Sequence, residues 1–133
     1  MNDTITKDEL PTSFTAFNPI GHLMLGLPST EQVASLTAAL RLNGWPDDAL
    51  VNFTPREGVE EFAELIDKAG PLVGFGYEIT LARRYLKLSR QGYRWLLVKV
   101  EDSEAASRAA EIAREHGATL AVHYRLLIAE ELI

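Results

Sequence analysis

Seven side chains recurring every second residue carry the chemistry this chain could perform. His22 and Met24 lie in one apolar run, Trp95, Leu97 and Lys99 in a second, and His123 and Arg125 in a third. Successive residues of a strand point to opposite faces. If Leu96, Val98 and Val100 meet packed helices, Trp95, Leu97 and Lys99 face away, beside His22, Met24 and Gly26 on a neighbouring strand. The same alternation adds Ala121, His123 and Arg125. Such a face is half apolar and half ionisable, which suits a dimer interface or a ligand pocket between two sheets. A histidine there could serve as a base. The plainer reading is that the face meets a second subunit or the amino-terminal arm and does no chemistry.

A second constellation is electrostatic. Glu57, Glu60, Glu61, Glu64 and Asp67 lie on one expected helix, and Arg83, Arg84, Lys87 and Arg90 on the next, with Arg94 just beyond. Arg83, Lys87, Arg90 and Arg94 recur at helical spacing and are expected to form one stripe. An acidic helix beside a basic one can neutralise itself by ion pairs worth roughly 0–1 kcal/mol each. The functional reading is a docking face for an anionic ligand or acidic partner.

Other reactive patterns are weak. His22, His116 and His123 show no HxH or HExxH spacing, and His116 sits at a helix end, so no metal site is expected. No G-x-S-x-G occurs, Ser103 reads as a capping residue and Ser89 as a helix-surface one. Gly74-Phe75-Gly76 follows no strand and lacks the third glycine of a nucleotide fingerprint. Asn52-Phe53-Thr54 matches a glycosylation pattern by chance. No catalytic residue and no cofactor is assigned.

The elements that must position these residues are legible in outline. The stretch 94–124 reads strand, helix, strand: Trp95 to Val100, a helix capped by Asp102-Ser103 and stopped by Gly117, then Leu120 onward. The first half carries the same plan at an offset of 73 residues, with Leu23, Leu25 and Leu27 on Leu96, Val98 and Val100, and Gly44 on Gly117. Ser29 and Gln32 can cap the first helix, which buries Val33, Leu36 and Leu40. Ala49 to Phe53 is a strand, and Thr54-Pro55-Arg56-Glu57 a capping box with proline at the first helical position. That helix ends near Gly70-Pro71, and another runs from Tyr77 to Gln91. Ala106, Ala109, Ala110 and Ala113 give the last helix a small face that can lie close to a sheet. The last strand is expected over 120–128, with 129–133 a tail.

These elements make a single α/β (α+β) domain over 20–133, following a flexible arm over 1–19. The architecture expected is ferredoxin-like: βαβ, a helical-hairpin insert at about 54–92, then βαβ. Right-handed crossovers give a four-stranded sheet in the order fourth, first, third, second, with helices on one face. A homodimer follows, because the open face is too apolar to be left bare.

Composition sets outer bounds. The 133 residues are 47% apolar and 24% charged, an ordinary balance for a soluble domain. Without cysteine there is no disulfide scaffold and no thiol chemistry. No apolar run approaches the roughly 20 residues a membrane helix needs, and Met1 to Glu9 is too polar for a signal peptide. A cytoplasmic protein is expected. A net charge of −6 argues against nucleic acid as a partner.

The segments Pro28 to Gln32, Asn43-Gly44-Trp45 and the strand to Phe53 resemble the first βαβ unit of small bacterial proteins related to general stress protein 17M. Leu97 to Glu101, Ala105-Ala106, Glu111 to Ala113 and His116-Gly117-Ala118 resemble their carboxy-terminal half. The resemblance covers about residues 20–53 and 94–125. It implies a ferredoxin-like fold and a stress-associated role, and it transfers no catalytic residue. Many members carry a glycine-rich apolar insert where this chain has an amphipathic helix pair. A non-catalytic interaction or regulatory module is the function expected. The alternative is a small-ligand-binding protein or a dimeric α/β-barrel-type enzyme using His22, Trp95 and His123.

Overall fold

The computed structural model describes residues 5–6, 20–69, 76–125 and 128–133. In chain order its elements are β1 (Ile5–Thr6), β2 (His22–Leu27), α1 (Thr30–Leu42), a 3-10 turn (Asp47–Ala49) and β3 (Leu50–Phe53). There follow α2 (Pro55–Ala69), α3 (Gly76–Arg90), β4 (Arg94–Lys99), α4 (Ser103–Glu115), β5 (Leu120–Arg125) and β6 (Ile128–Glu131).

Local side-chain bonds fix three helix starts. The Gln32 amide donates to Ser29 Oγ at 3.2 Å, and the Ala105 amide to Asp102 Oδ1 at 2.8 Å. At α2 the box is reciprocal: the Glu57 amide donates to Thr54 Oγ1 at 3.1 Å, and the Thr54 amide to Glu57 Oε1 at 2.8 Å. Each such cap contributes about 0.5–2 kcal/mol. Gly44 and Gly117, at φ 103° and 94°, end the turns that follow α1 and α4. The Trp45 and Ala118 amides then bond back to the carbonyls of Leu40 and Ala113.

The strands form one sheet in the order β1-β3-β4-β2-β5-β6. Its four middle strands stand in the order the crossover argument requires. β2 pairs antiparallel with β4 and β5, β3 with β4, and β6 with β5, whereas β1 runs parallel to β3. The expected four strands are therefore six. Residues 129–131, expected as tail, lie in β6, which folds back on β5. Ile5–Thr6, inside the expected arm, adds the opposite edge; the rest of 1–19 lies outside the described residues, as does the glycine-bearing connector 70–75.

Helices cover both faces, not one. Leu23, Leu25 and Leu27 meet Leu96, Val98, α1 and the alanine face of α4. On the reverse side Met24, Phe53, Trp95, Leu97 and Val122 are covered by Phe62 of α2 and Leu81 and Tyr85 of α3. The insert is thus a second helical layer. Its two helices are amphipathic and must bury their apolar stripes, and the sheet face they meet is itself apolar. With that face filled from within the chain, the argument for a homodimer across it falls.

Gly26 permits a close approach of backbone to ring in this layer. A Cβ built there would lie 2.8 Å from Trp95 Cζ3 and 3.3 Å from Leu120 Cβ. Overpacking of this kind costs about 1–3 kcal/mol. Gly26→Ala should lower the urea midpoint accordingly; an unchanged midpoint would mean that Trp95 does not rest on this backbone.

Candidate functional site

Trp95 occupies the centre of the covered face and is fully buried. Its ring meets Tyr85 at 5.1 Å and Phe62 at 5.5 Å between centroids, both edge-on, and Tyr93 at 6.2 Å. Its Nε1–H donates to Ser89 Oγ at 2.8 Å, which satisfies the one polar atom of the indole. Ser89, expected on the helix surface, is itself buried. Gly58 makes room for this bond, because a Cβ there would lie 2.5 Å from Ser89 Oγ. Fully burying an aromatic of this size contributes about 4–6 kcal/mol. The nearby Arg84–Glu131 pair, at 2.9 Å and partly exposed, is worth about 1 kcal/mol at most. Aromatic packing therefore holds the hairpin down.

The seven residues of the expected open face do not form one site. His22, Met24 and Gly26 do pair with Lys99, Leu97 and Trp95 as the alternation requires. Met24, Trp95 and Leu97 are buried beneath the hairpin. Lys99 is exposed and His22 half-buried. His123 and Arg125 belong to the other face. In the observed register His123 pairs with Leu23 and Ala121 with Leu25, and Val122 and Leu120 share the face of Met24 and Trp95. The expectation was one residue out because Leu120-Ala121-Val122 is apolar on both sides and carries no alternation.

The basic constellation also divides. Arg84 is bound to Glu131, and Arg94 shares the strand face of Leu96 and Val98, on the side of the sheet away from α3. Arg83, Lys87 and Arg90 remain, exposed on α3 and without an ion pair among the described residues. Their spacing places them on the side opposite Leu81, Tyr85 and Ser89. On α2, Glu61 is buried at 4% exposure and leaves the acidic surface to Glu57, Glu60, Glu64 and Asp67.

Two surface features escaped sequence reasoning. Ser35 Oγ meets His116 Nδ1 at 2.7 Å, joining the start of α1 to the end of α4 beside a shallow polar cleft of about 640 Å³. Only the packing of α1 on α4 brings these residues together, and each looks unremarkable in its own helix. A serine nucleophile needs a base that is itself oriented, with donors for the oxyanion; the Gln32 amide at this helix start is already taken by Ser29. In a recess of about 400 Å³ on the other side, Arg108 lies 4.7 Å from the Trp45 ring centroid while Trp45 Nε1 donates to the Lys99 carbonyl at 3.0 Å. Among the described residues no group of three or more histidine and carboxylate side chains is placed to hold a metal ion, and no helix is long and apolar enough to cross a membrane. No protein-family model, curated protein or solved structure matches the chain.

His123 is 4% exposed, and its Nδ1 has no hydrogen-bond partner among the described residues. Burial holds the imidazole below its ordinary pKa of 6.5; Glu130 on the paired strand pulls it up and Arg125 pushes it down again. The folded state therefore prefers the neutral ring, whereas the unfolded chain takes up a proton near its ordinary value. Stability from this residue is complete at high pH and is lost as pH falls through 6.5 toward the lower folded value. Denaturant titrations between about pH 7.5 and 5.5 should show a fall that His123→Leu reduces. Equal slopes for the two proteins would show that His123 does not titrate as a buried neutral group.

Proposed function

We propose that this chain is a non-catalytic interaction module, stress-associated by its resemblance to the general stress protein 17M group, that works through the outer face of the α2–α3 hairpin. The observation that carries this reading is the row Arg83, Lys87 and Arg90 on α3. The three cations are exposed and unpaired among the described residues, on a chain of net charge −6. Against that overall charge, a local positive row selects an acidic protein segment more readily than a nucleic acid or an anionic membrane, whose extended charge meets the whole molecule's repulsion. A cytoplasmic site of action fits the absence of cysteine.

A ferredoxin-like duplication accounts for the core. Ser29 and Asp102 cap helices of 13 residues each, and Gly44 and Gly117 follow them at the same offset. In this reading the two βαβ units are copies, and the α2–α3 hairpin is the segment in which this chain acquired its own surface. The alternative of a ligand pocket or enzyme site built from His22, Trp95 and His123 has lost its ground, since the three do not share an accessible face.

The doubly reversed variant Arg83→Glu/Lys87→Glu should bind a fluorescent oligoglutamate peptide at least about tenfold more weakly than the parent at low ionic strength, a loss of about 1.4 kcal/mol. Fluorescence anisotropy reads the difference. Undiminished binding would remove α3 as the docking face.

A further inference from the structure

The recess beside Trp45 belongs to the α1 and α4 side of the sheet, away from the hairpin, and the docking reading leaves it without a role. Its floor is fixed by the core. Trp45, Ala49 and Val100 are buried in the layer that joins α1 and α4 to the sheet, and Trp45 Nε1–H donates to the Lys99 carbonyl at 3.0 Å. Pro46 adds a rigid apolar wall beside them. At about 400 Å³ the recess stands at the small end of the range of ligand sites.

Charged side chains ring this apolar floor: Arg108 from α4, Asp48 from the 3-10 turn and Glu101 from the loop between β4 and α4. All are exposed, and none has an ion pair or a side-chain hydrogen bond among the described residues. Lys99 contributes its carbonyl, while alternation along β4 assigns its side chain to the face of Trp95 and Leu97. Glu104 stands four residues before Arg108 on α4, the favourable order for a helical ion pair. The guanidinium nevertheless lies over the Trp45 ring, 4.7 Å from its centroid.

That stack engages the flat face of the guanidinium and leaves the N–H fork at its edge unbonded. Such a fork fits a carboxylate through two parallel bonds. An anion alone is poorly served, because Asp48 and Glu101 line the same recess and the chain carries a net charge of −6. A cation alone meets Arg108. A small molecule carrying both signs finds a partner for each.

We propose that this recess binds a free α-amino acid with an apolar side chain. Its carboxylate takes the N–H fork of Arg108, its ammonium turns to Asp48 and Glu101, and its side chain lies on Trp45, Pro46 and Val100. Trp45 orients the guanidinium before the ligand arrives, so little side-chain freedom is lost on binding. The site is separate from the α3 row, and either stands without the other.

The test is an NMR titration of the full chain that follows the Trp45 Nε1–H signal, identified by its loss in a Trp45→Phe variant. L-Leucine, L-methionine and L-phenylalanine are each added to about 10 mM, beyond the millimolar level of weak binding. At least one should shift the signal to saturation. The same body without its ammonium (4-methylpentanoate for leucine) or without its carboxylate (isopentylamine) should bind at least about tenfold more weakly, having lost one charged contact. Arg108→Gln, and Asp48→Asn combined with Glu101→Gln, should each weaken binding by a similar factor. Silence with all three amino acids overturns the proposal. Equal binding of either analogue also overturns it, since the site would then serve a simple anion or cation, as does a titration that Arg108→Gln leaves unchanged. The analogue comparison uses the parent alone and decides the matter if a variant folds poorly.

Discussion

Everything in this molecule follows from where the indole of Trp95 goes. A tryptophan on the inner face of a central strand must leave water, and its Nε1–H must find an acceptor in the dry interior. The chain answers both needs with the same segment. Phe62 and Tyr85 close over the ring, and Ser89 Oγ accepts the hydrogen bond from its Nε1–H. Two glycines, Gly26 below and Gly58 above, let the backbones approach closely enough for this to work.

Closing that face changes what kind of protein this is. A bare ferredoxin-like sheet invites a second sheet or a small ligand; a sheet covered by its own helices does not. The ionisable groups that the sequence distributes along the strands are consequently scattered. Lys99 is at the surface, His22 lies half-covered at a strand start, and His123 is enclosed on the opposite side. On the outside of the covering hairpin, Arg83, Lys87 and Arg90 are exposed and have no ion pair among the described residues. In the function proposed above, the working surface belongs to the segment between the two βαβ units.

The sequence was most readable where a backbone bond depends on one or two neighbouring side chains. The caps at Ser29, Thr54 and Asp102 and the stops at Gly44 and Gly117 are decided locally, and the structure has all of them. The apolar alternation of Leu23, Leu25 and Leu27 likewise fixed one sheet face. Legibility failed where the decision is made by a distant part of the chain. β5 is apolar on both sides, so nothing within it says which way His123 points; its register on β2 does. Glu61 looks like one more exposed acid of α2, and only the packing of the hairpin shows it buried. The strand β6 follows Leu126 and Leu127 without a glycine, proline or asparagine to announce a turn. The basic row survived for a different reason, since helical spacing alone puts Arg83, Lys87 and Arg90 together, whereas Arg94 lies beyond the helix and follows the strand's geometry.

The covered face can be examined at a single hydrogen. Solvent exchange of the Trp95 indole Nε1–H, followed by NMR and distinguished from Trp45 with a Trp45→Phe variant, reports directly on the layer above it. If the hairpin is docked as described, that hydrogen exchanges as slowly as the amides of β4, opening only when the domain unfolds. Exchange faster by orders of magnitude, with β4 itself still protected, would mean that the sheet face is open to water and that the account built on its closure is wrong.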